Sequence, residues 1–180
     1  MTASAPFDWD GYYLFTSAAE FAFSKINRGL RAGDGAAVVG GVSTILRNAE
    51  TLLRAAGRPT GDLKRALSLL PARPPIEPTK LAPSVGNTLT NAADPTMSGA
   101  FPDAWGYVGA ILGEARMVLI QTRITGPFDP LGSALLDATM AGKRTSAEGH
   151  KPPQAVADAV AKEQANNRRT ADPWAGYPKS

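Results

Sequence analysis

Residues 9–57 read WDGYYLFTSAAEFAFSKINRGLRAGDGAAVVGGVSTILRNAETLLRAAG, and the placement of apolar residues in this stretch decides the fold. Trp9, Tyr12, Thr16, Ala19, Phe23, Ile26 and Leu30 recur at alternating steps of three and four, the spacing that lays side chains along one side of an α-helix. Asp8 stands where an N-cap accepts hydrogen bonds from the first free amides, and Gly33 stands where a left-handed residue ends a helix. After Asp34 the same stepping returns in Val38, Val42, Ile45, Ala49, Leu52 and Ala56, until Gly57-Arg58-Pro59 breaks it. Two such seams joined by Ala32-Gly33-Asp34-Gly35 predict an antiparallel helical hairpin. Thr16, the polar member of the first seam, is expected to bond to its own helix backbone.

Downstream, Leu63, Leu67 and Leu70 share one side of a shorter helix that starts after Thr60 and ends at Pro71, which completes an N-terminal unit over residues 1–70. Residues 71–102 change character. Seven prolines fall in these 32 residues, and proline removes backbone donors and pushes its neighbours toward extended conformations. An extended linker is expected there, of a length that suits a functional loop or a strap laid across a partner. Residues 103–142 turn helical again, with Trp105, Val108, Leu112, Ala115 and Leu119 as the inner seam and Leu131, Leu135 and Ala138 on a further helix opened by Asp129-Pro130. Met117 to Ile124 reads equally as helix or strand, because so short an apolar run does not separate the two periods. Residues 143–180 form a polar C-terminal arm with one weak helix, supported only by Val156 and Val160. The fold class is therefore mainly α: a helical hairpin plus two or three further helices, a long Pro-rich extended linker and an extended C-terminal arm, with residues 103–142 packing on the N-terminal hairpin in the same core.

Composition narrows the chemistry. In 180 residues there is no cysteine and one histidine, His150. A disulfide framework, a Cys-ligated metal and a thiol nucleophile are thereby excluded. No cofactor, metal ligand set or catalytic residue emerges. Gly142-Lys143-Arg144-Thr145 lacks the upstream glycine of a phosphate loop, and Arg144 interrupts its Lys-Thr pair. Gly33-Asp34-Gly35 lacks the third glycine and the preceding strand of a dinucleotide site. Glu114 is the acid set in the most apolar stretch, and it is expected to pair with Arg116 or with an arginine of the first hairpin. His150 is expected to be exposed.

Charge is uneven along the chain. Residues 1–24 carry Asp8, Asp10 and Glu20 without a base, whereas residues 25–73 carry nine Lys and Arg against Asp34, Glu50 and Asp62. The net charge of +3 thus conceals alternating acidic and basic segments, which suit neighbouring copies as readily as nucleic acid. All three tryptophans sit in short Asp/Trp/Gly/Tyr clusters, and Trp174 and Tyr177 belong to the one that opens no helix. Aromatics in an otherwise polar tail are of the type that anchors interfaces, so Trp174 and Tyr177 are candidate docking residues. Arg168 and Arg169 are candidate phosphate contacts. Gly106, Gly109 and Gly113, on adjacent turns of one helix, mark a candidate close helix–helix approach.

The functional expectation is a non-enzymatic structural or assembly subunit, whose linker and arm bind neighbouring subunits in a homo- or hetero-oligomer. Core-plus-arm chains of this kind suit phage-particle-like assemblies, an analogy of architecture alone. The alternative is a helical nucleic-acid-binding or regulatory protein that uses the basic 25–73 face. No membrane span is expected, since the apolar run from Ala104 to Ile120 includes Glu114 and Arg116. No export signal is expected either, which places the protein in the cytoplasm or in a particle assembled there.

Overall fold

The computed structural model describes residues 8–79 and 104–145, and every regular element among them is an α-helix. Helix α1 runs Trp9–Ala32, and the Asp8 carboxylate accepts from the Gly11 amide at 2.9 Å. Helix α2 runs Gly35–Ala55, and the Asp34 carboxylate accepts from the Ala37 amide at 3.1 Å. Each aspartate thus satisfies one of the orphan amides that the helix leaves at its start. Gly33 takes a left-handed φ of 66°, and its neighbour's amide reaches back from Asp34 to the Gly29 carbonyl at 2.8 Å. That pair of turns closes the carbonyl end of α1 and reverses the chain. The predicted seams form the contact between the helices: Tyr12, Thr16, Ala19, Phe23, Ile26 and Leu30 are buried on one side, and Val38, Val42, Ile45, Ala49 and Leu52 on the other. Ala56 lies past the helix end and is exposed. The helices approach closely at Gly41, where a Cβ would come within 2.8 Å of the Ala22 carbonyl and closer still to Ile26. Thr16 donates to the Tyr13 carbonyl at 3.1 Å, as its position on the seam predicts.

Helix α3 (Gly61–Leu69) follows, burying Leu63 and Ala66. Helix α4 (Ala104–Gln121) is apolar around most of its circumference, and it buries Trp105, Tyr107, Val108, Ile111, Leu112, Ala115, Val118 and Leu119. A helix apolar on all sides belongs in the middle of a bundle. Residues 117–121 therefore continue the helix, which ends in a left-handed Arg123 with φ 59°. There the Ile124 amide bonds to the Leu119 carbonyl at 2.9 Å and the Arg123 amide to the Ile120 carbonyl at 3.0 Å, the bond pair usually built around glycine. Helix α5 (Pro130–Thr145) pairs with α4 and rests on α3, while α2 touches both α3 and α4. Buried residues from all five helices form one continuous cluster.

Residues 71–79 carry no regular secondary structure and bend at Ala72 and Arg73, and they lie across the turn of their own hairpin. The Thr79 amide donates to the Leu30 carbonyl at 2.8 Å, Ile76 packs half-buried against the core, and Pro78 covers Gly33. Residues 80–102 of the expected linker and 146–180 of the expected arm lie outside the described residues.

Candidate interaction surface

The solvent face of α1 follows from its buried one. Counting 100° per residue, the side opposite Ala19 and Ile26 carries Asp10, Leu14, Ser17, Phe21 and Arg28, all of them exposed. Leu14 is 70% exposed and Phe21 73%. Single exposed apolar residues are ordinary on a protein surface. Two large ones a heptad apart, centred on the outward face of the longest helix, form a stripe. Acidic Asp10 lies before the stripe and basic Arg28 after it, and among the described residues neither is held in an ion pair. Phe128, on the turn between α4 and α5, is also exposed.

The matching face of α2 is different, presenting Gly40, Thr44, Arg47, Thr51 and Arg54. Arg54 lies 3.9 Å from Glu50, and Arg47 donates to Ser43 at 3.1 Å. The nine bases of residues 25–73 come from three helices and the segments between and after them, so they are distributed over the fold rather than aligned along one helix.

The glycines of α4 face inward. Gly106 and Gly109 are buried, and a Cβ on half-buried Gly113 would meet Thr139 of α5 at 3.5 Å. Gly113 therefore packs against α5, not against the first hairpin. The expected pairing of Glu114 is not formed. Arg116 instead donates from Nε to the Gly132 carbonyl at 3.0 Å and from Nη2 to the Pro127 carbonyl at 2.9 Å, tying down the turn between α4 and α5. Among the described residues no Lys or Arg pairs with Glu114, and its partial burial raises the carboxyl pKa above the ordinary value. Asp129 occupies the N-cap position predicted for it, its carbonyl accepting from Ser133 at 2.8 Å, while its carboxylate turns back to the Gly126 amide at 2.8 Å.

Gly142 to Thr145 belong to the last turn of α5. Trp174, Tyr177, Arg168, Arg169 and His150 lie outside the described residues. Among the described residues there is no group of three His, Asp or Glu that could hold a metal ion, and no helix is long and apolar enough to cross a membrane. Compared with family models, curated proteins and solved structures, the chain shows no match.

Leu14 and Phe21 were open to discovery in the sequence. Both are large apolar residues off the 9/12/16/19/23/26/30 seam, and a residue off the seam of a two-helix contact points to solvent unless a third element covers it. Attention to the seam alone passes over them.

Proposed function

We propose that the protein is a non-enzymatic assembly subunit: a small helical core that binds neighbouring protein subunits, with the outward face of α1 as a contact surface. The observation that carries this reading is the exposed Leu14 and Phe21 stripe. Large apolar side chains exposed together on one helix face mark a protein–protein contact, and Phe is a residue type that dominates interface energetics. Asp10 and Arg28, exposed at the two ends of the same face, support the same reading, since they offer a neighbouring subunit one charge of each sign. A phage-particle-like assembly is one setting that suits a core of this size with a long extended segment.

Size-exclusion chromatography of the full chain with light scattering, at low and high salt and with nucleic-acid absorbance recorded, tests the reading. The expected result is an oligomer free of nucleic acid. Co-eluting nucleic acid released by salt would replace this reading with a nucleic-acid-binding one. A compact, protease-resistant monomer would remove it.

A further inference from the structure

The outward face of α1 has a charge order that singles out its partner. Along it run Asp10, Leu14, Ser17, Phe21 and Arg28, with Ser24 between the last two, so the residues recur at steps of four and three, the period of a helix–helix seam. Acid stands at one end, base at the other, and the apolar pair lies between. Reflected through residue 19, position 10 falls on 28, position 14 on 24 and position 17 on 21. The face is therefore complementary to itself when reversed, which is the requirement for a two-fold interface in which one patch meets its own copy.

We propose, resting on the assembly reading above, that this face binds a second copy of the chain, the two α1 helices packing antiparallel about a two-fold axis near residue 19. In that arrangement each Phe21 lies over Ser17 of the other copy, whose small side chain leaves room for the ring. Leu14 packs beside it, and Asp10 meets Arg28 at both ends. A parallel pair would set Asp10 against Asp10 and Arg28 against Arg28, so like charges disfavour that alternative.

The experiment uses the full chain, and its lack of cysteine makes the cross-linking arm clean. Dimer dissociation is measured by light scattering and analytical ultracentrifugation. Phe21→Ser, an exposed substitution checked for unchanged helicity, is expected to weaken self-association by about tenfold or more. Asp10→Arg and Arg28→Asp are each expected to weaken it about two- to fivefold at low salt, and the double variant to restore it. A purely intrahelical role for these charges predicts the reverse, since the double variant would then be the worst of the three. In the second arm, Asp10→Cys with Arg28→Cys is expected to oxidise to a covalent dimer. Asp10→Cys alone is not, because the two copies of residue 10 lie about 27 Å apart in this arrangement.

An oligomer whose mass ignores Phe21→Ser and the charge reversals would overturn the self-pairing and leave the assembly reading standing. A covalent dimer from Asp10→Cys alone would also overturn it. A chain that stays monomeric at high micromolar concentration would overturn it too, leaving the stripe to another protein or to the chain's own C-terminal residues.

Discussion

Glu114 is a carboxylate that α4 carries into partial burial, where no cation among the described residues meets it. Desolvation disfavours its ionised form, so the folded protein holds the proton more tightly than the unfolded chain does. The native state then gains relative to the unfolded one at low pH, and loses that gain as pH rises from about 4.3 through the raised folded value. Glu114→Gln removes the ionised form. It is expected to melt at a higher temperature than the parent at pH 7, with the difference closing as the pH is lowered below about 4. A gap of equal size at both pH values would show that the carboxyl's burial does not act through its charge. The sequence identified Glu114 as the acid in the most apolar stretch but paired it with Arg116 or with an arginine of the first hairpin. What it did not reveal is that Arg116 has a stronger claim elsewhere. Two backbone carbonyls of the turn at Pro127 and Gly132 converge on its guanidinium, and that geometry depends on tertiary structure around a turn eleven to sixteen residues away.

At the scale of elements, periodicity and capping chemistry explain most of what was legible. Asp8, Asp34 and Gly33 act at the positions where their side chains or backbone freedom predict, and the buried seams are those of the three-four stepping. Residues 117–121 were ambiguous because strand and helix periods are indistinguishable over so few residues. The decision comes from the core around α4, which buries Ala115, Val118 and Leu119 at helical spacing. The course of residues 74–79 was not legible either. Proline specifies an extended backbone but not the surface it lies on, and the one apolar side chain between the prolines that hints at attachment is Ile76. Its attachment depends on Gly35, where a Cβ would collide with the Pro74 carbonyl. Gly35→Val is expected to lift residues 74–79 off the hairpin turn, lower stability by about 1–3 kcal/mol, and speed hydrogen exchange of the Thr79 amide, which bonds to the Leu30 carbonyl. Unchanged exchange at Thr79 would mean that the contact does not hold the segment.

For the molecule as a whole, one cluster of buried side chains joins the α1–α2 pair to the α4–α5 pair through α2 and α3. The described helices should therefore unfold together. Leu112→Ala, in the middle of α4, is expected to cost about 2–5 kcal/mol and to lower a single thermal transition seen alike by far-ultraviolet circular dichroism and by fluorescence. Two separated transitions would show that the halves are independent. The mainly helical class was legible from the seams, and so was the place of Leu14 and Phe21 off the first of them, whereas their exposure was not. A seam announces what is buried, and a surface stripe is recognised only once every other element has been placed.

The strap of residues 74–79 fixes more than the hairpin turn. Helix α1 is about 36 Å long, and the bond from Thr79 to Leu30 sets the chain's departure at its basic end, far from Asp8. In an antiparallel pair these departure points fall at opposite poles. The dimer would then have two equivalent ends and neither head nor tail, so a further partner that recognises one end would find the same surface at the other.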